Sequence, residues 1–371
     1  MRLPRCHRRW ALALAVALGV ALAGAPTAAS YAVSLPRPHD ELVARTSTVP
    51  ETTSFATRGI PVGEPPAIAY AFASEPTFGG GDWQLRRPDG SAVDLPDLTW
   101  SAWAPLGDGA IGMAGTEAGP ELQQVSGDGV VRSTLVQHFG LAVSPDHRLV
   151  GWLGDRGEPR VVEGGGGVTS SMPRVAHGRA VAALWGTDTC QEEVPEGGGC
   201  TVFVNGPREV RISTSHGIVS TVRPLLWVSD VAADGRVAGL VSRRTGDRAA
   251  CWGVVRPDGH RSFRTCDYYL DSFAPTGDRV LAEHSETRWS SIRRFAILGR
   301  DGHVVRAWTF DPGRHRSLAQ LTWEDGQHLL GVLLAHGRWG VVRIGTDGTV
   351  EYAGPTVGAT DEFPPFSLPL R

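Results

Sequence analysis

CWGVVRPDGHRSFRTC, residues 251–266, is the stretch that decides the fold. Two β-prone runs flank Asp258-Gly259, and an Asp-Gly pair set between such runs is a strong short-range signal for a β-hairpin with a two-residue, positive-φ turn. Cys251 and Cys266 lie symmetrically about that pair. In an unbulged hairpin they face each other, with Cβ atoms roughly 4.5 to 5.5 Å apart, close to what a disulfide needs. Counted outward from Pro257 and His260, however, the two fall on a hydrogen-bonded pair, where the Cα atoms stand wider apart, and a bulge would relieve the strain.

Working outward, the same signal recurs along the chain. Similar pairs stand at Asp89-Gly90, Asp128-Gly129, Gly166-Gly167, Asn205-Gly206, Asp301-Gly302 and Asp347-Gly348, so successive intervals are 39, 38, 39, 53, 43 and 46 residues. A second turn precedes most of them, in AWAPLGDGAIGMA (102–114), LAVSPDHRLVGWL (141–153), DVAADGRVAGLV (230–241), SFAPTGDRVLAEH (272–284) and LTWEDGQHLLGVL (321–333). Each unit of about forty residues thus holds four strands, the period of a β-propeller blade. A sheet this small cannot bury both faces alone, whereas a ring of such sheets buries each against its neighbours. The spacing favours an all-β propeller of seven four-stranded blades over six or eight, and two stacked sandwiches would leave the regular interval unexplained. The innermost strand of the first blade must come either from around Phe55–Ile60 or from the tail after Gly354.

Ser144-Pro145-Asp146-His147-Arg148-Leu149-Val150, Ala233-Asp234-Gly235-Arg236-Val237-Ala238 and Ala274-Pro275-Thr276-Gly277-Asp278-Arg279-Val280 resemble the WD40-like, TolB-type propeller repeat, whose core reads S-P-D-G-x-x-hydrophobic-A. The resemblance spans about residues 67–353 and implies the fold. It brings no activity with it, because propellers host many unrelated functions.

Composition agrees. Gly 47 and Pro 26 in 371 residues is close to a fifth of the chain, against roughly 12% in average proteins, so turns are frequent and long helices few. With 36 basic and 39 acidic residues the net charge is −3, which gives no electrostatic basis for nucleic-acid binding. Every basic residue is Arg, a usage that suggests a GC-rich bacterial genome.

The N-terminus reads as an export signal. MRLPRCHRR precedes an apolar run from Trp10 to Ala25, with small residues near its end at Ala21-Leu22-Ala23 and just beyond it at Thr27-Ala28-Ala29. This is a signal peptide, or an uncleaved tether through residues 10–25, and either places the body outside the cytoplasm, secreted or on the outer face of the membrane. The expected organisation is residues 1–29 as signal or anchor, 30–66 as a Pro/Thr-rich arm, 67–355 as propeller and 356–371 as a tail. Four cysteines remain beyond the signal, and their even number outside the cytoplasm suggests two disulfides. Cys251 with Cys266 is the preferred pairing, leaving Cys190 with Cys200 to close the loop QEEVPEGGG. No CxxC or HxxxH spacing suggests a metal site, and neither metal nor cofactor is expected.

No nucleophile elbow, HExxH, P-loop or EF-hand is present. Chemistry would have to come from polar residues on the innermost strands. Aligning SAWAPLGD, SDVAADG, DSFAPTGD and AQLTWEDG on their turns places Ser101, Ser229, Asp271 and Gln320 at related positions, with Asp230 beside Ser229. These five and Trp103 are the candidates for a site at the channel mouth. Trp100 and Trp103 could stack on sugar rings, although buried packing is the commoner use of such residues. Trp83, Trp252 and Phe295 each lie six residues before a turn Asp, which points to repeated packing between blades. The reading favoured is a monomeric, non-catalytic module for a protein, peptide or cell-envelope polymer. The alternative is a propeller enzyme of glycoside hydrolase or lyase type, with Asp230 and Asp271 as acid or base.

Overall fold

Several central strands are buried on both faces, and the architecture follows from that. Leu149–Leu153 is buried at all five positions and His328–Ala335 at six of eight, so the apolar runs are continuous where a one-faced sheet would alternate. The computed structural model describes residues 52–74, 82–95, 100–116, 119–136, 140–164, 169–187, 190, 199–243, 250–284, 291–312, 316–359 and 364–370. Residues 1–51 lie outside that set, and with them the expected export signal and its apolar run. No described helix is long and apolar enough to cross a membrane.

The strands form seven antiparallel sheets, each with its four blade strands in chain order from the axis outward, except the first. Blade II runs from Trp100–Leu106 to Val131–Leu135, blade III from Leu141–Val143 to Ser170–Ser171, and blade IV from Ala180–Thr187 to Val219–Thr221. Blade V runs from Trp227–Val231 to Arg261–Thr265, blade VI from Tyr268–Phe273 to Val304–Thr309, and blade VII from Arg316–Trp323 to Val350–Tyr352. Blade I takes Tyr70–Ala73, Trp83–Arg86 and Ala92–Asp94 from one end of the propeller and its innermost strand, Phe366–Ser367, from the other. Of the two sources left open by the sequence, the C-terminal tail is the one used.

Seven apolar clusters fill the seven spaces between neighbouring sheets, which fixes the count and closes the ring. Blades VI and VII share Phe295, Trp308, Trp323 and Leu333, and blades VII and I share Leu330, Trp339, Phe366 and Leu368. The chain is a seven-bladed β-propeller.

The arm and the tail are both tied to this body. Thr53–Ser54 pairs in parallel with Trp308–Thr309 at the outer edge of blade VI, and Phe55 packs against Phe295 and Phe310. Arg343 holds the stretch after it through the Glu64 and Pro65 carbonyls while pairing with buried Glu324 and with Glu351.

The hairpin turns differ from the expected two-residue type. At Asp89, Asp128, Asp258, Asp301 and Asp347 only the following glycine has positive φ, between 81° and 97°. Its N–H bonds to the carbonyl three residues back, as from Gly259 to Arg256 at 2.9 Å. The Asp stays right-handed because its carboxylate accepts the N–H two residues on, at 2.9 Å from Ser91 and 3.0 Å from His260. Asn205-Gly206 is not a turn centre. Asn205 ends a strand of blade IV, and its side chain accepts from Val228 N–H at 2.8 Å and donates to Val228 carbonyl at 2.9 Å, stitching blade IV to blade V. The equivalent outer turn of blade IV is Ser215-His216-Gly217, so the interval to Asp258-Gly259 is 42 and the long one, 50, falls before it. Gly166-Gly167 lies outside the described residues.

Both disulfides have the preferred pairing, Cys190 with Cys200 and Cys251 with Cys266. The register slips between Val254 and Val255, a bulge at Ser262, so the parity of the ladder changes before the cysteines are reached. Their Cα atoms stand 4.1 Å apart, near the spacing of a non-hydrogen-bonded pair. Two disulfides are compatible with an oxidising compartment.

Candidate functional site

The innermost strands carry a shared irregularity. Register shifts interrupt five of them, between Trp100 and Ala102, Val181 and Ala183, Val228 and Asp230, Leu270 and Phe273, and Leu318 and Leu321. A bulge leaves a residue without a cross-strand partner and re-aims its side chain. Ser101, Ser229, Asp271 and Gln320, aligned from the turns alone, all fall in these bulges.

Their contacts differ. Ser101 Oγ donates to Met113 carbonyl at 3.1 Å and Ser229 Oγ to Ala238 carbonyl at 3.3 Å, so both hydroxyls serve the next strand of their own blade. Gln320 Oε1 accepts from Leu368 N–H at 2.8 Å, which seats the C-terminal segment against blade VII. Trp103 secures the other side of that segment, since its Nε1 donates to Ser367 Oγ at 3.1 Å and its carbonyl accepts from Leu370 N–H at 2.8 Å. At 1% exposure its ring is packed between blades I and II and offers no face for a sugar. Trp100 lies tilted against it and donates to Gln123.

Asp230 bridges blades V and VI. Its carboxyl oxygens accept from Val231 N–H at 2.7 Å and Phe273 N–H at 2.6 Å. Burial nevertheless pushes the acid up to about 8, against the pull of those two hydrogen bonds, and Asp271 nearby adds to the rise. Beside it lies a small pocket of about 10 Å³ between Pro145 and His147 of blade III and Phe273–Pro275 of blade VI, room for at most one water.

Asp271 faces a larger space. A cavity of about 840 Å³ opens at the axis between Ser101–Trp103 of blade II, Ala319–Leu321 of blade VII, the Ser367–Leu370 segment, and a wall where blades V and VI meet. That wall holds Trp252, Tyr269, Asp271, Glu283 and His284. The grouping follows from strand geometry, because Tyr269 and Glu283 are direct cross-strand partners and Asp271 lies two residues beyond Tyr269. Trp252 meets Tyr269 edge-on at 4.4 Å, the inter-blade packing expected of it, and Phe295 stacks on Trp308 at 4.8 Å. Burial raises Asp271, with the Ser272 hydroxyl, 3.0 Å away, opposing. Glu283 is lifted to about 7, first by burial and then by the charge of Asp271. The cavity therefore presents two carboxyls raised by burial, Glu283 to about 7, beside two aromatic rings. Among the described residues no group of three potential ligands could hold a metal ion.

Glu283 is the residue that turn alignment passes over. In the other four turn-aligned repeats its place is taken by Met113, Leu153, Leu240 and Val332, so an acid where every counterpart is apolar was the available signal.

No protein-family model and no curated protein sequence matches the chain. Among solved structures it is similar to puromycin hydrolase, with 16% identity and a TM-score of 0.45 over 83% of this chain and 55% of that one. It is also similar to Hsv2 of Kluyvelomyces marxianus, with 9% identity and a TM-score of 0.45 over 75% of this chain and 92% of that one. The chain spans little more than half the length of the puromycin hydrolase it matches.

Proposed function

We propose that this protein is an exported, monomeric, non-catalytic β-propeller that seats part of a peptide or cell-envelope polymer in the cavity at its axis. The observation that carries the reading is the cavity itself. At about 840 Å³ it lies within the usual range of ligand sites, it combines apolar walls with a few polar groups, and it sits where blades converge. The basic and apolar N-terminal segment supports export, and the two disulfides accord with it. Whether residues 10–25 are removed or retained as a tether is read from the N-terminal sequence of the mature protein.

The test is saturable binding of envelope glycan fractions and peptide pools to the purified full chain, compared with Ser101→Trp. Ser101 is exposed at the cavity rim, so an indole there obstructs the mouth without entering a packed interface. The variant is expected to lose at least tenfold in affinity with its melting curve unchanged. Undiminished binding would place the ligand elsewhere on the molecule.

A second reading rests on Asp271 and Glu283, two raised carboxyls in one cavity, which suits general acid catalysis on a glycan. Release of new reducing or unsaturated ends that disappears in Glu283→Gln would favour this enzyme over the binding module.

A further inference from the structure

Among its described lining residues the cavity is chemically one-sided: Asp271 and Glu283 are the acids there, and no Arg is found with them. Glu283 has no hydrogen-bond or salt-bridge partner among the described residues, and the charge of Asp271 repels it. The Ser291 hydroxyl on the same wall is buried and also has no partner. Unpaired polar groups in such a place are costly, and a carboxylate out of water is stabilised chiefly by a cation. Beside them Trp252 and Tyr269 provide aromatic surface, which attracts cations and alkyl groups alike. Ile292, Leu321 and Leu368 line the remainder with hydrocarbon.

A neutral hydroxyl could bond to Glu283 but would leave the charge uncompensated, and an anion would be repelled. A small hard metal ion wants several oxygen ligands, which the described residues do not assemble. We infer that the cavity binds an organic ammonium ion, a protonated amine on an apolar stem, with Asp271 and Glu283 as counter-charges and Trp252 and Tyr269 as the aromatic wall. This rests on the reading of the cavity as a ligand seat and names the chemistry it selects.

A proton linkage follows. A bound ammonium favours the ionised carboxyls, so uptake releases protons and affinity falls as pH drops from 8 to 6. The other titrating groups on this wall do not reverse the sign. Asp230 gains a proton over the same range and Tyr269 stays neutral, while His284 is the basic side chain on the wall.

The experiment is calorimetric titration of the full chain with Nα-acetyl-lysine methylamide and with glucosamine, against norleucine and N-acetylglucosamine counterparts that lack the charge. At least one amine is expected to saturate, the neutral counterparts to bind at least tenfold more weakly, and Glu283→Gln and Asp271→Asn each to cost tenfold or more. Which amine binds more tightly separates a peptide source from an amino-sugar source. Should either variant melt abnormally, the pH series on the unaltered chain decides. Equal binding of charged and neutral partners, or affinity flat between pH 6 and 8, overturns the ammonium inference while the ligand seat stands. Absence of saturable binding by either amine overturns the inference too, and glycan or peptide binding insensitive to Ser101→Trp overturns the seat.

Discussion

Asp230 occupies an uncomfortable position for a carboxyl group. Two backbone N–H groups hold it in place, yet burial lifts it to about 8, and Asp271 and Glu283 are raised for the same primary reason. Each binds a proton more tightly in the folded chain than in the unfolded one, where carboxyls titrate near 4 (about 3.9 to 4.3). Folding therefore takes up protons between about pH 4 and 8, and stability falls as pH rises through that window. The turn aspartates act in the opposite sense. Asp89, Asp128, Asp258, Asp301 and Asp347 are all lowered by hydrogen bonds from neighbouring side chains and backbone, so their contribution is lost as pH falls toward and below 4. The melting temperature is expected to peak near pH 5 and to decline by pH 8, measured by calorimetry across the range. Asp230→Asn should flatten that decline. It should also lower stability at pH 5, since an amide oxygen can accept only one of the two N–H groups that a carboxyl satisfies. At this scale the sequence located more than it explained. Turn alignment found Asp230 and Asp271, but it could not show that one joins two blades while the other faces a cavity, because that depends on which way a bulge turns the strand.

At the scale of the element, the hairpin of residues 251–266 shows how far local symmetry can be read. The cysteines are equidistant from the turn, and they are bonded. The bulge at Ser262 that brings their Cα atoms to 4.1 Å leaves no mark in the order of residues, because any sequence can gain or lose one ladder partner when the strand twists. In the chain-entropy model a bridge across this separation of 15 residues stabilises by about 3 kcal/mol. Cys251→Ser with Cys266→Ser should accordingly lose about 3 kcal/mol in denaturant unfolding, and reduction of the unaltered protein should give a comparable loss. The Asn205-Gly206 pair marks the limit of the same reasoning. An Asn before a Gly fits a turn, but here the Asn amide serves as a strand mimic for Val228, a use that depends on a blade folded later in the sequence.

For the whole molecule, the repeat was legible because each blade reuses the same turn chemistry. The ring closure was not, since Phe366–Ser367 is too short to carry a strand pattern. Its place is fixed by Gln320, Trp103 and Thr322 on the flanking blades and by Phe72 opposite. Removing residues 359–371 strips blade I of its innermost strand and uncovers the clusters it shares with blades II and VII. Loss of a single cooperative melting transition, followed by calorimetry and near-ultraviolet circular dichroism, is the expected result. A truncated chain that still melts as one unit would show that blade I holds without it.

The partners Phe72 and Phe366 are separated by nearly three hundred residues of chain. Whatever order the blades form in, the faces of the first and last sheets stay unsealed until the final stretch arrives. A chain that emerges from its N-terminal end, from a ribosome or through a membrane pore, is thus kept from completing the propeller until Phe366 and Ser367 have followed the other blades out. The closing strand makes the sealed ring a record that all seven blades have been delivered.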